Sequence, residues 1–297
     1  GMNLWLVGWA PQILYMDPLR RDIPLDGSIG LRITGNPNQS TLLLTNPEQD
    51  VEVLPLLPEA YRILRKFSIP GAYRFEVVTE NPRKNILEVA KRIERAGLDH
   101  LWVSHVFGFD SISVMGLIGR EVPRISLGTA VTPTYPRHPT AMAQQGLTTA
   151  AFSGNRFTLG IGVSHKKIIE DFMGFSFDKP AHHMREYLSI LMPLARGEQV
   201  SFSGKAYSVS NFRLNIPGVK PMPVVLGALG SKMLEIAGEL TDGTNTWMVG
   251  HKTMRDHIVP GLKNPKSKVI GGVPIVLTNQ IDEAKEQISK ILKGYGR

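Results

Sequence analysis

Short apolar runs alternate with stretches of helical periodicity along most of the chain. Tyr73–Val78 reads as a strand. Asn81-Pro82 then supplies an N-cap residue and a proline at the first helical position. Ile86, Leu87, Ala90 and Ile93 fall on one face of the helix that follows, and Gly97 stops it. His100–Val106 is a second strand and Ile112–Arg120 a second helix. Ile125–Val131 is a third strand, followed by a helix from Pro139 to about Phe152. Arg156–Gly162 is a fourth strand, with a helix over His183–Arg196. Pro223–Gly227 is a fifth, with Ser231 capping a helix to about Leu240. Asn245–Val249 and Val269–Leu277 are the sixth and seventh, and Ile281–Lys293 forms a closing helix.

Continuous apolar strands with glycine-rich exits are those of a parallel sheet buried on both faces. Repeated strand–helix units then place helices over that sheet. Seven such strands, with no single dinucleotide fingerprint, predict an α/β fold of TIM-like (β/α)8 type rather than a doubly wound sheet. With seven strands rather than eight, the barrel is expected to be incomplete or atypically closed. Active sites of such barrels lie at the C-terminal strand ends. Two longer excursions frame that face: Val163–Pro180, a lid or substrate wall, and Ser201–Pro221, a hairpin-like segment.

Composition narrows the class. The 297 residues are 42% hydrophobic and 20% charged, as expected of a globular chain with a sizeable core. No apolar run reaches the length of about 18 residues that a membrane span needs. Cysteine is absent, which excludes disulfides, thiolate metal sites and cysteine nucleophiles and suits a reducing, cytoplasmic setting. Gly1-Met2 reads as a tag remnant before a start methionine, and no basic region precedes the apolar stretch as in a secretory signal.

The net charge is +8, from 34 Lys/Arg against 26 Asp/Glu, but no block of like charges occurs. A small anionic molecule therefore fits better than nucleic acid or a membrane surface. Residues 1–70 carry six Lys/Arg against seven Asp/Glu, so the positive excess lies in residues 71–297. The first segment also holds 8 of the 21 prolines, with strands expected at Ser28–Thr34 and Ser40–Leu44 and a helix near Glu59–Lys66. It is too thin in apolar residues for a core of its own. We therefore divide the chain into an N-terminal segment, 1–70, packing on a barrel domain, 71–297.

Four strand exits carry candidate chemistry. The second ends Ser104-His105 and continues to Asp110; a histidine there can serve as acid, base or hydrogen-bond donor. The third runs through Ala130 and Val131 into a proline-rich corner where Arg137 offers a fixed cation. The fourth ends Gly160-Ile161-Gly162-Val163-Ser164-His165, where glycines would let a ligand approach the backbone. The fifth, Gly227-Ala228-Leu229-Gly230-Ser231-Lys232, enters a helix directly, and free N–H groups, the helix dipole and Lys232 make an anion site. Metal-ligand spacings and the serine-hydrolase elbow are absent from the sequence.

Together, Leu101-Trp102-Val103-Ser104, GTAVTPTYPRHP, RFTLGIGVSH, HMREYLSIL and LGALGSKMLEIAGELTDGTNTW resemble the luciferase-like monooxygenase superfamily, from about Tyr73 to about Lys293. Within it they look more like oxidoreductases that use the deazaflavin coenzyme F420 than like FMN-dependent monooxygenases. The resemblance implies a TIM-like barrel holding F420, or alternatively FMN, and passing a hydride to or from a small organic substrate. A barrel that binds a flavin-like ligand without catalysis is the remaining alternative. It implies His105 as the catalytic candidate, flanking the ring together with Val106. Ala130 and Val131 would lie under the ring, where the family often has a non-prolyl cis bond. Val163, Ser164 and His165 would line the ring edge or ribityl chain, Gly227, Ala228, Leu229, Gly230 and Ser231 would hold the phosphate, and Trp247 would be a pocket wall. Many relatives place a carboxylate–histidine pair where this chain has Ser104-His105, and some have an acid at the position of His165. A homodimer is expected.

Overall fold

A computed structural model describes residues 3–6, 28–34, 39–45, 72–78, 86–95, 98–105 and 108–278. In chain order the elements are β1 (Asn3–Leu6), β2 (Ser28–Thr34), β3 (Gln39–Thr45), β4 (Ala72–Val78), α1 (Ile86–Arg95), β5 (His100–Val103), α2 (Ser111–Glu121), β6 (Ser126–Thr129), β7 (Thr132–Pro133), α3 (Pro139–Phe152), β8 (Phe157–Gly162), α4 (Pro180–Ala195), β9 (Val200–Ser203), β10 (Ser208–Phe212), β11 (Val224–Gly227), α5 (Ser231–Leu240), β12 (Gly243–Trp247) and β13 (Lys268–Thr278). Wide π turns occupy Ile168–Phe172 and Met254–Ile258.

Two compact units divide the chain. One comprises residues 1–102, 247–251 and 270–297, the other 103–246 and 252–269. In the first, β4 runs parallel to β5 and to β3, and β2 is antiparallel to both β3 and β13. The β3–β4 ladder spans seven residue pairs, from Gln39 opposite Ala72 to Thr45 opposite Val78. Antiparallel β1 pairs with β13 further along, from Leu6 opposite Ile275 to Asn3 opposite Thr278.

The second unit is built on parallel strands in the order β6, β8, β11, β12, with β7 adding to β8. Their side chains are almost wholly buried: Leu127, Phe157, Leu159, Ile161, Val224, Val225 and Leu226 are at most 1% exposed, which is why these strands read as unbroken apolar runs. Around them α3 packs between α2 and α4, and α4 against α5. Ile112, Met115 and Ile118 give α2 one buried stripe at helical spacing. Asp110 caps that helix by accepting from the Ser113 N–H at 2.8 Å. Arg156, at the entrance to β8, donates to the carbonyls of Gly119, Val122 and Ile125 and so ties the end of α2 to the start of β6.

Several boundaries depart from the sequence expectation. Strand β5 ends at Val103, three residues early, because Ser104 and His105 turn away towards α2. The third strand is broken in two: β6 stops at Thr129, a cis Ala130–Val131 peptide follows, and β7 resumes at Thr132. The sixth strand is β12, two residues earlier than expected, since Met248 adopts a left-handed conformation (φ 55°) that an extended strand does not allow. Helix α4 starts at Pro180 rather than His183, with proline at its first position. The expected helix start at Asn81-Pro82, its stop at Gly97, the short helix near Glu59–Lys66 and the last helix Ile281–Lys293 lie outside the described residues.

Candidate active site at the strand ends

The C-terminal ends of β6–β7, β8, β11 and β12 come level with one another in the second unit. Thr132 and Pro133 pair with Ile161 and Gly162, Leu226 pairs with Ile161, and Gly227 pairs with Asn245. Val131 is the hub. A Cβ on Gly162 would lie 2.7 Å from its Cγ2, and one on Gly227 would lie 3.2 Å away. A Cβ on Gly160 would overlap the Thr129 carbonyl oxygen at 1.8 Å, while Thr129 Oγ1 donates to the Gly160 carbonyl at 2.8 Å. Gly160 and Gly162, at the end of β8, are thus required by the chain's own bend at 129–131, and the ligand-approach explanation is not the one the geometry gives. Val163 and Ser164 are partly buried beyond β8, with Ser164 left-handed (φ 63°), and His165 is exposed.

His105 joins this edge through a polar chain. Its Nδ1 lies 3.1 Å from Ser111 Oγ, and Ser111 Oγ lies 3.0 Å from Thr132 Oγ1. The Ser111 N–H also donates to Nδ1 at 3.4 Å. Asp110 Oδ2 stands 3.7 Å from Nδ1 and is held by an ion pair with Arg137. Burial and the Arg137 charge push the imidazole pKa below its ordinary value, against a smaller upward pull from Asp110. Burial raises Asp110, but the Ser113 N–H and hydroxyl and the Arg137 charge outweigh it and leave the carboxyl below its usual range. A carboxylate does therefore neighbour the histidine, contributed from the cap of α2 rather than from the preceding residue.

Behind the same loop sits a buried aromatic cluster. His183 Nε2 bonds Thr134 Oγ1 at 2.9 Å, and its ring stacks on Tyr135 with centroids 4.0 Å apart. Tyr187 and Tyr207 complete the group. Burial lowers the His183 pKa to about 4, so the ring is neutral, and raises that of Tyr207 to about 12. Glu186 accepts from the N–H groups of Lys205, Ala206 and Tyr207 at 2.8, 2.7 and 3.2 Å, which fixes the β9–β10 hairpin on α4.

Gly230 caps α5 without a side-chain hydrogen bond, so the N–H groups of Ser231 and Lys232 are the unpaired ones of a helix start. Gly230, Lys232 and Met233 line a cavity of about 620 Å³ together with Lys179, His182 and Lys205. Pro180, also on its wall, begins α4, so two helix starts meet there. The ammonium groups of Lys179, Lys205 and Lys232 have no carboxylate partner among the described residues. Sequence reasoning found Gly230 and Lys232. It missed Lys179 and Lys205, for which the only local signal was Lys179-Pro180 at a helix start. Ala228 is buried, and Leu229 is exposed with its carbonyl bonded to His257 Nε2 at 2.8 Å. Trp247 falls in the other unit, and Val106 lies outside the described residues.

The comparisons with known proteins agree on the class. The family model for luciferase-like monooxygenases matches residues 67–296, and the chain belongs to that family. It is 33% identical over 156 residues to the 5,10-methylenetetrahydromethanopterin reductase of Archaeoglobus fulgidus, covering 52% of this chain and 46% of that protein. It is 26% identical over 194 residues to the F420-dependent glucose-6-phosphate dehydrogenase of Amycolatopsis mediterranei, covering 61% and 58%. The chain spans about half the length of the curated relatives it matches first. The structure of the coenzyme F420-dependent tetrahydromethanopterin reductase from Methanopyrus kandleri superposes with a TM-score of 0.56 at 24% identity, over 63% of this chain and 58% of that one. An F420-dependent secondary alcohol dehydrogenase superposes with the same score at 20% identity, over 62% and 60%. These fix the fold class as the α/β barrel type of bacterial luciferase. No helix among the described residues is long and apolar enough to cross a membrane.

Proposed function

We propose that the protein is an F420-dependent oxidoreductase that moves a hydride between the deazaflavin and a small organic molecule. The observation that carries the reading is the lysine-lined cavity at the start of α5, next to strand ends that meet at Val131. A deazaflavin with a phosphate and an acidic tail needs a flat apolar seat for its ring and a cationic seat for its anions. The donor set fits. Gly230 has open space where a Cβ would stand, Ser231 and Lys232 present unpaired N–H groups, and three lysines are free to meet negative charge. Asn245 Nδ2, on β12 opposite Gly227, is buried without a partner among the described residues and is a further donor in search of an acceptor.

In this reading Gly230, Ser231 and Lys232 hold the phosphate, and Lys179 and Lys205 meet the tail. Ala130 and Val131 support the ring, Gly227, Ala228 and Leu229 flank it, and Val163, Ser164 and His165 edge it. The bound deazaflavin supplies the hydride chemistry, as cofactors do. The protein's part is to hold one face of the ring against the substrate, to exclude water with the 163–180 segment, and to present His105 as a polar contact.

Titration of the purified protein with F420 and with FMN, side by side, tests the reading. Tighter binding of F420 supports it. Preference for FMN would move the assignment to the monooxygenases of the same family. Tight F420 binding without turnover over a panel of alcohols, imines and enoates would leave a binding protein.

A further inference from the structure

We infer that His105 works as a neutral hydrogen-bond donor whose tautomer is set by the start of α2: Nδ1 accepts from Ser111, and Nε2 carries the proton. The sequence left three roles open for this histidine, and the family reading left its reactive nitrogen unassigned. The geometry selects one of them.

A backbone N–H can only donate. Ser111 is the first residue of α2, its N–H is one of the unpaired donors of a helix start, and it points to Nδ1 at 3.4 Å. The Ser111 hydroxyl approaches the same nitrogen at 3.1 Å and has Thr132 Oγ1 on its other side at 3.0 Å. With Thr132 donating to Ser111 and Ser111 donating to Nδ1, every proton in the chain has an acceptor. A proton on Nδ1 would instead face a backbone N–H.

The rival arrangement is a carboxylate–histidine dyad, with Nδ1–H donating to Asp110. Three contacts argue against it. The Nδ1–Oδ2 separation is 3.7 Å, too long for a hydrogen bond. Oδ2 is taken by Arg137, and Oδ1 by the Ser113 N–H and hydroxyl, both at 2.8 Å. Asp110 and Arg137 are the charged groups beside the imidazole among the described residues, and of the two the Arg137 charge acts on it more strongly. Burial and the helix start then both disfavour the imidazolium.

Nε2 has no partner among the described residues, and the side chain is 16% exposed, so this N–H is available to a bound molecule. A neutral imidazole of this kind polarises a carbonyl oxygen or a ring nitrogen without transferring a full charge. It is suited to stabilising the partial negative charge that builds on an acceptor atom as hydride moves. The proposed function is needed only to say which molecule offers that acceptor. The tautomer stands on this protein alone, so the test uses protein without added cofactor.

The experiment is 15N-detected NMR of the imidazole ring, with His105 assigned by comparison with His105→Gln. The expected spectrum at neutral pH has an unprotonated Nδ1 and a protonated Nε2, with titration below the ordinary histidine range. Ser111→Ala keeps the N–H and should keep the tautomer. Ser111→Pro removes the N–H, yet proline suits the first helical position and the extended Asp110 before it (φ −63°, ψ 118°). It should raise the His105 pKa by about half a unit to one unit and mix the two tautomers. A protonated Nδ1 in the unmodified protein overturns the inference, as does a Ser111→Pro spectrum identical to the original. If Ser111→Pro fails to fold, the unmodified spectrum and Ser111→Ala still decide the matter. Failure of F420 to bind would count against the proposed function and leave the tautomer result untouched.

Discussion

Val131 fills the space that Gly162 leaves: a Cβ on that glycine would lie 2.7 Å from Val131 Cγ2. The two are coupled by volume, which gives a testable pair. Gly162→Ala should destabilise the protein by about 1–3 kcal/mol, the usual cost of overpacking a tight interior. Val131→Ala in the same chain should recover much of that loss, so that the double mutant falls short of additivity by more than about 0.5 kcal/mol in urea unfolding. Gly160→Ala offers no such rescue, because its obstacle is the Thr129 carbonyl at 1.8 Å, and it should not yield folded protein.

Gly230 is the opposite case. A Cβ there meets nothing within 4 Å, and its backbone (φ −80°, ψ 149°) suits any residue. Gly230→Val should therefore leave the melting temperature within about 2 °C of the original. The isopropyl group would stand over the free N–H groups of α5. F420 affinity should fall by about tenfold, the equivalent of one lost charge-assisted hydrogen bond. Unchanged affinity in the folded variant would remove Gly230 from the phosphate site.

These two glycines show what the sequence makes legible. Apolar runs such as Val224–Leu226 announce buried parallel strands, because burial on both faces leaves no other pattern. Prolines at 139 and 180 mark helix starts, because the first turn loses no intrahelical bond with a missing N–H. The purpose of a glycine is not legible in this way. Gly162 serves a side chain 31 positions away, and that contact exists only once β7 lies along β8. The same holds for Asp110 beside His105 and for Lys179 and Lys205 around one cavity: each is an ordinary residue until folding brings its partner. The break of the third strand at Ala130 was hidden from the apolar pattern, which runs on through it; only the family resemblance pointed to a cis bond there.

His183 makes stability depend on pH. Burial lowers its pKa to about 4 from an ordinary 6.5, so between those values the unfolded chain binds more protons than the folded one. Stability is then full above pH 6.5 and declines as the pH falls to about 4, by up to about 3 kcal/mol from this group. Glu186 adds in the same direction: the backbone N–H groups of the hairpin outweigh burial and keep its carboxyl below the usual range. Its share is present above the unfolded carboxylate range and lost as the pH drops through the folded value. Urea midpoints measured from pH 8 to pH 4 should show this decline. In His183→Asn the slope between pH 6.5 and pH 5 should flatten, and an unchanged slope would show that another group is responsible.

The cavity lysines predict a salt-sensitive affinity. Lys179, Lys205 and Lys232 are exposed, so their attraction to a polyanion is screened over about 10 Å at 0.1 M salt. F420 binding should weaken as sodium chloride rises from 50 to 500 mM, and FMN, with one phosphate and no acidic tail, should respond less. Changing Lys179 and Lys205 to glutamine should flatten the F420 salt dependence towards that of FMN without altering the melting temperature. Equal salt slopes for the two ligands in the unmodified protein would show that the tail is not held in this cavity.

The segment before residue 71 supplies β2 and β3, and these are paired strands rather than appendages. Their loss would uncover two backbone edges at once. Strand β3 runs along seven residues of β4, and β2 along β13 from Gly30 opposite Pro274 to Thr34 opposite Ile270. Bare strand edges pair readily with other chains, and a parallel strand without its neighbour leaves N–H and C=O groups that only water or aggregation can satisfy. We therefore expect that a variant lacking residues 2–70 will accumulate as insoluble or molten protein, with exposed hydrophobic surface detectable by dye binding. Milder changes should follow the same logic. Proline at Leu42 or Leu43 would interrupt the β3 ladder and should lower stability by several kcal/mol, about the cost of a proline in a paired strand and a broken hydrogen bond. Limited proteolysis provides the direct check. Resistance of the β2–β3 region supports its place in the sheet. Rapid trimming to near residue 70, with retention of a folded core that still binds F420, would show that the segment is dispensable and that the barrel domain tolerates its own open edges.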